Sequence, residues 1–180
     1  MKVEVVKYNP EWLELFHSEK LKLNQALAKL VKNIYHIGST AVPGLAAKPI
    51  VDIMIEVSSF DALERLTPVM NALGYEAKGE FGIPGRRYFR KGGTNRTHQI
   101  HVFKINDVNL KRHLAFRDYL ISHPNIMQEY ANLKTQLAIR FYNDIKSYCE
   151  GKNQFIKHYE SQAIAWSNEQ HKHHQSNKLS

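Results

Sequence analysis

The sequence predicts an α+β domain, with a mixed β-sheet in its first part and a helical C-terminal subdomain after it. Three observations carry that expectation. Strand-like runs end at Ile105, and helical periodicity takes over from Asn109. The run Ile50–Val57 is apolar enough for a central strand. No internal repeat and no Pro/Gly/Ser-rich linker divides the chain, so residues 1–166 read as a single domain, strand-rich over 1–105 and helical over 109–166.

Each element follows from local chemistry. Lys2 to Lys7 alternates as a strand would. Asn9-Pro10-Glu11 is a helix start, with Asn9 as N-cap and Pro10 in the first turn. Trp12, Leu15, Phe16, Leu23, Leu27 and Leu30 then recur at helical spacing. Asn33 to Ile37 is a short strand ending at Gly38, followed by a loop of small residues through Pro43-Gly44. Ile50 to Val57 is the next strand, with Asp52 its one conspicuous exception. Ser58-Ser59 with Asp61 starts a helix that Gly74 closes. Three strands follow at Tyr75–Phe81, Arg87–Lys91 and Thr97–Ile105, with turns at Gly82–Gly85 and Gly92-Gly93. Helices are expected over Asn109–Ser122, from Pro124 to about Tyr148, and from about Asn153 to Trp166. Residues 167–180 are polar and without periodicity, which predicts a disordered tail. Its His171, His173 and His174 have the look of a metal tract, but such tails more often bind nothing specific.

Composition narrows the class. Of 180 residues, 43% are hydrophobic and 23% charged, which is globular and excludes wholesale disorder. Met1-Lys2-Val3-Glu4 does not open a signal peptide, and no stretch approaches the ~20 apolar residues of a membrane span. Cys149 is the only cysteine, so neither an intrachain disulfide nor a thiolate zinc site is available, and a cytoplasmic address is expected. The formal charge of +8 is concentrated between Arg86 and Arg117, where the basic residues face only Asp107. Such a field attracts phosphates on nucleotides, coenzymes or nucleic acid, unless it is merely a solvated surface.

The segment His36 to Asp52 reads as the chemical centre. A strand ending in Gly38-Ser39 lets backbone N–H groups and the Ser39 and Thr40 hydroxyls converge on a phosphate, with Gly38 allowing close approach. Asp52 on the next strand is placed for a divalent cation, and Lys48 for a point charge on the same anion. A structural ion pair is the competing role for Asp52.

The motif HIGSTAVPGLAAKPIVDI resembles the signature of the GrpB family, mostly uncharacterised bacterial proteins of the nucleotidyltransferase superfamily. The likeness continues through Gly82–Tyr88, Thr97–Val102 and Arg112–Leu120, and covers the chain to about residue 166. It implies a nucleotidyltransferase-like mixed β-sheet with flanking helices. By resemblance, Gly38 and Ser39 bind nucleotide phosphates at a helix N-terminus, and Asp52 is the first carboxylate for Mg²⁺ or Mn²⁺. A related module is known fused to dephospho-CoA kinases, which points to nucleotide or coenzyme metabolism. One departure stands out: the second carboxylate position is Met54, which cannot hold such a metal, and Glu56 lies about 13 Å along the strand.

Gln99 and His101 stand where a third carboxylate belongs, and His101 is the candidate base, ligand or phosphate donor. His36, His98 and His113 fall in the same motifs and join the candidate phosphate site, although each is individually compatible with a structural role. Arg86 follows the Gly82-Ile83-Pro84-Gly85 turn, suited to bidentate phosphate contact, and His113 and Arg117 form an i,i+4 pair that would close the pocket. The leading expectation is metal-dependent nucleotidyl transfer with Asp52 and His101 catalytic. The alternative is a binding module for a nucleotide or phosphorylated small molecule. Nucleic acid is a poor partner because too few aromatics accompany the basic run. Acceptor and oligomeric state are not encoded legibly.

Overall fold

A computed structural model describes residues 2–176, with side chains through Lys172. In chain order the elements are α1 (Glu11–Leu27), a 3₁₀ turn (Ala28–Leu30), β1 (Val31–Ile37), a second 3₁₀ turn (Ser39–Ala41), β2 (Val51–Val57), α2 (Phe60–Arg65) and α3 (Thr67–Ala72). Strands β3 (Tyr75–Ala77), β4 (Arg87–Lys91) and β5 (His98–Lys104) precede helices α4 (Val108–Ser122), α5 (Pro124–Arg140) and α6 (Ile145–Ser176). The sheet order is β1-β2-β5-β4-β3. Only β2 and β5 pair in parallel, so the sheet is mixed, and the α+β expectation with a helical C-terminal part holds.

Alternation along the central strands separates two faces. Val51, Ile53, Ile55 and Val57 of β2, with Ile100 and Val102 of β5, pack against Trp12, Phe16, Leu23 and Leu27 of α1 and Leu63 and Met70 of α2 and α3. The opposite face carries Asp52, Met54, Gln99, His101 and Phe103 and lies under α4, where Leu110 joins Ile37, Met54 and Phe103. The loop after β1 is clamped from the helical side by Val42 and Leu45 packing on Leu120, Tyr130 and Ala131. Gly38 to Lys48 is therefore held between the sheet and the helical layer.

Several boundaries differ from the sequence expectation. Residues 2–7 form one bridge, Val6 to Ala47, instead of a strand, because their partner is a loop that offers no further ladder. The helix from 58 to 74 divides between Leu66 and Thr67, where Pro68 supplies no N–H to continue the ladder. Strand β3 stops at Ala77, as Gly79 (φ 60°) and Phe81 (φ 47°) turn the chain.

The break expected near Gly151 falls at Phe141–Asp144, and Asp144 caps α6 by accepting from the Lys146 and Ser147 amides at 3.1 Å. Gly151 lies inside α6 for a packing reason: a Cβ there would meet Leu137 Cδ2 of α5 at 2.6 Å. Helix α6 also runs to Ser176, through much of the expected disordered tail. Trp166 on Tyr119 and the Lys111–Asn168 hydrogen bond anchor its far half to α4, and Glu169, Gln170 and Lys172 propagate helix well. His171 is exposed on that helix, while the His173 and His174 side chains lie outside the described residues.

Met54 is fully buried among Ile37, Phe103 and Leu110. Met54→Asp should therefore lose roughly 3–5 kcal/mol, the cost of an uncompensated buried charge, while Met54→Leu should cost less than about 1.5 kcal/mol. Urea unfolding of the two variants checks this, and similar midpoints for both would contradict the burial.

Candidate functional site

The site begins with one close approach. Antiparallel pairing sets Ile37 opposite Asp52, so the next residue, Gly38, lies against the Asp52 side chain. Gly38 adopts φ 70° and ψ −169°, a region open essentially to glycine alone. A Cβ there would fall 2.5 Å from Asp52 Oδ2. The glycine is thus required by Asp52 itself, which corrects the reading that it only clears space for a phosphate. Ser39 opens a three-residue 3₁₀ turn, not an α-helix, so the helix N-terminus implied by resemblance is missing here. The Ser39 side chain lies on the cleft beside the buried Tyr130 phenol, whose ionisation burial pushes upward.

Asp52 is met by two side chains of the neighbouring strand β5. The surroundings of Gln99 assign its amide nitrogen toward Asp52 Oδ1 (3.0 Å) and Tyr88 Oη (3.2 Å), and its oxygen toward Arg96 (3.2 Å). His101 Nε2 lies 3.6 Å from Asp52 Oδ1. Behind it, Arg86 Nη1 is 3.1 Å from His101 Nδ1. A guanidinium only donates, so Nδ1 accepts and the imidazole N–H sits on Nε2, facing Asp52. Arg86 is 5% exposed and spends its other donors on the Glu80 and Phe81 carbonyls. It positions His101 instead of reaching a phosphate, contrary to expectation.

The other histidines separate. His36 and His98 point to the opposite face of the sheet and are corrected out of the phosphate site. His36 stacks on Phe16 at 4.7 Å, its Nε2 lies 3.0 Å from Thr40 Oγ1, and burial pulls it down to about 4. His98 contacts Thr97 and is likewise lowered by burial. His113 of α4 does line the cleft; burial, then His101 and Arg112, pull it down to about 3, so it is neutral. Arg117 lines the same wall, donating to the His36 carbonyl (2.9 Å) and to Asp118 (2.7 Å).

These residues surround a cleft of about 340 Å³ between the sheet and α4–α6, with Gly38, Ser39, Asp52 and His101 on one wall and Phe116, Leu120 and Ile156 on the other. Through Ser39, Asp52, Gln99 and Lys152 it continues into a second lobe of about 210 Å³. There Lys48, Lys134 and Lys152 converge, with Thr40, Tyr148 and Cys149. Lys134 is 2% exposed and donates to the Ala46 carbonyl; burial and then Lys152 pull it down to about 6, against the pull of Asp52. Burial also lowers Lys152, whose Nζ lies 4.6 Å over the Tyr148 ring. Lys48 stands over the same ring at 5.7 Å. Among the described residues none of the three forms an ion pair, although five of the nine basic residues between Arg86 and Arg117 do: Arg87 with Glu64, Arg90 with Glu76, Lys91 with Glu19, Arg112 with Glu160 and Arg117 with Asp118.

Lys134 and Lys152 were not singled out from sequence. A signal existed for the first: Tyr130, Ala131, Lys134, Leu137 and Ala138 form the buried stripe of α5, and a lysine inside such a stripe needs a reason.

The expected pair of metal carboxylates is not assembled. Met54 belongs to the core, Glu56 bonds Asn33 at 2.7 Å, Glu160 is held by Arg112, and the His101 nitrogen nearest Asp52 carries a proton. No group of three potential metal ligands occurs among the described residues. No helix among them is long and apolar enough to cross a membrane.

Comparison with known proteins agrees with this geometry at the level of fold and family. The profile described as GrpB protein matches residues 2–162. The Bacillus subtilis protein YqkA is 48% identical over 165 residues, 92% of this chain and 48% of its own length, so the chain spans about half of that relative. The crystal structure of conserved protein GrpB from Enterococcus faecalis superposes with TM-score 0.88 at 41% identity, covering 91% of this chain and 99% of that one. A dephospho-CoA kinase of Mycolicibacterium paratuberculosis is 24% identical over 92% of this chain and 47% of its own length. A cytoplasmic RNA terminal U-transferase shares the fold at TM-score 0.50 and 13% identity, over 81% of this chain and 47% of that one.

Two outcomes follow from the geometry. Gly38→Ala should cost about 1–3 kcal/mol from backbone strain plus the clash with Asp52, and Asp52→Ala should relieve only the clash. The double variant should then be less destabilised than the sum of the singles, whereas strict additivity in denaturant unfolding would show that the two do not touch. Acid provides the second. His36 and His113 stay neutral in the fold far below their unfolded values, so between pH 6.5 and about 3–4 the unfolded chain binds protons that the fold refuses. Stability should fall steadily as pH drops through that window, by roughly 3 kcal/mol from His36 alone, and His36→Gln should flatten the profile of melting temperature against pH.

Proposed function

The chain belongs to the GrpB family, and from that premise we propose that it binds a phosphorylated small molecule, a nucleotide or a phosphorylated coenzyme, in the cleft between sheet and helices. One observation carries the reading: Lys48, Lys134 and Lys152 are gathered in one lobe without a carboxylate ion-pair partner among the described residues. Gathering ammoniums in a partly desolvated lobe is costly unless an anion joins them. A phosphate there accepts from the three ammoniums and the Ser39 hydroxyl. The larger lobe then takes the organic part of the ligand against Phe116, Leu120 and Ile156. The resemblance to a dephospho-CoA kinase suits a ligand of this chemistry.

Metal-dependent nucleotidyl transfer is the second reading, favoured by Asp52 facing the cleft beside Gly38 and Ser39. Mg²⁺ or Mn²⁺ would have to be held largely by the ligand's own phosphates, because Asp52 lacks a companion carboxylate. Chelation separates the two readings.

Pyrophosphate, ATP and coenzyme A, each present at 100 times its dissociation constant, are expected to stabilise the fold by about 2.7 kcal/mol if they bind. At least one should raise the melting temperature in EDTA as much as in Mg²⁺. Lys152→Met should weaken that ligand roughly 10- to 100-fold, the worth of one charge-assisted contact of about 1.5–3 kcal/mol. Stabilisation that vanishes on chelation would favour the transferase reading, and none with any phosphate compound would refute phosphate binding.

A further inference from the structure

Lys134 is the one cation of the lobe that the fold almost entirely encloses. Its Nζ has a single hydrogen-bond acceptor, the Ala46 carbonyl, and lies 4.5 Å over the Tyr130 ring of its own helix. The other charged or titratable groups of the lobe come from three elements: Lys152, Cys149 and Tyr148 from α6, Lys48 from the loop before β2, and Asp52 from β2 itself. Asp52 is therefore the only carboxylate among them, set against two further ammoniums. Burial and Lys152 pull the Lys134 ammonium down to about 6, so in the empty protein near neutral pH the amine is mostly uncharged.

An anion entering the lobe changes that balance. With Lys134 neutral, Lys48 and Lys152 against Asp52 leave an excess of one positive charge; with Lys134 charged the excess is two, which a phosphate dianion neutralises. Resting on the phosphate-binding reading above, we propose that the lysine lobe is selective for a terminal, dianionic phosphate group and that Lys134 is the specificity-determining residue, taking up a proton from solvent as that group binds. The ligand class narrows accordingly to phosphomonoesters and chains that end in a free phosphate. Phosphodiesters, including internal nucleic-acid phosphates, are disfavoured because a monoanion balances the lobe while Lys134 is still neutral and so forgoes the third ammonium.

The sign of the linkage is fixed. Above about pH 6 the empty site holds a neutral Lys134 and the filled site a charged one, so binding consumes a proton and affinity falls as pH rises. A phosphomonoester has its own second ionisation near pH 6. By pH 8 it is already a dianion, and proton uptake there belongs to the protein.

The test is calorimetric titration of the full chain at pH 8 with phenyl phosphate and with methyl phenyl phosphate, a monoanionic diester, in two buffers of different ionisation heat. Phenyl phosphate should bind with close to one proton taken up, lose about tenfold in affinity per pH unit from pH 7.5 to 9, and outcompete the diester more than tenfold. Lys134→Met should abolish the uptake, Lys134→Gln serves if that variant does not fold, and Lys152→Met should bind more weakly. Phenyl phosphate binding without proton uptake, or with equal diester affinity, overturns this inference and leaves phosphate binding intact. Uptake that persists in both Lys134 variants overturns the assignment to Lys134. Absence of binding by either ester, together with no stabilisation by any phosphate compound, removes the phosphate reading and this inference with it.

Discussion

The alternation of side chains along β2 is the constraint on which the rest depends. Val51, Ile53, Ile55 and Val57 are committed to the core with α1, so register forces Asp52, Met54 and Glu56 onto the other face. Of these three, Met54 closes the core under α4 and Glu56 bonds Asn33, which leaves Asp52 at the open end. Its nearest neighbours follow from the ladders: Gly38 after Ile37 on one side, Gln99 on the other, with His101 one pleat further on. A one-residue slip of β2 would bury Asp52 against Leu23 and Leu27 and turn the apolar set to the cleft. The site is thus as well determined as the core.

That half of the site was legible in the sequence because it is local. An acidic residue in an apolar strand, a Gly-Ser turn one strand earlier and Gln99/His101 on the adjacent strand are all short-range signals, and alternation alone assigns their face. Alternation also held the information that His98 points away, since it shares parity with Ile100 and Val102 and not with His101. Arg86 failed for a different reason. A Gly-Ile-Pro-Gly turn suggests an exposed loop edge, but whether a guanidinium there meets solvent or folds back on the Glu80 and Phe81 carbonyls depends on the loop's closure, which no spacing encodes.

Of the cationic half, Lys48 is legible beside the Gly-Ser turn, and Lys134 and Lys152 are not, for a geometric reason. Lys48, Lys134 and Lys152 come from a loop, α5 and α6, and they converge only because those elements pack closely. The break at Phe141–Asp144 sets the length of α5, and Gly151 lets α6 approach Leu137 without a side chain between. The sequence places the break between about Tyr148 and Asn153 instead, because the apolar pattern runs on past Arg140. Moving the break to Gly151 would change the turn on which Lys152 sits, and with it the direction of its side chain. Beyond Gly38–Lys48, the sequence draws attention to the basic run from Arg86 to Arg117, where five of nine basic residues are already paired with carboxylates.

The two halves bear on the missing carboxylate. A nucleotidyltransferase-like site with two metal ions counters phosphate charge with cations that themselves need a cluster of carboxylates. Here Met54 removes one carboxylate, and the layer facing the sheet brings lysines instead. The substitution is self-consistent. Three ammoniums beside a full carboxylate cluster would be neutralised by it and have nothing left for a ligand, whereas beside Asp52 alone they keep a net positive lobe. Ammoniums also differ from metal ions in what they select. A metal pair draws on several oxygens of a polyphosphate and tolerates its changing geometry, but fixed lysines on rigid helices define one small volume and one charge. On the proposed reading, the arrangement suits recognition of a single phosphate group better than in-line displacement along a chain of them.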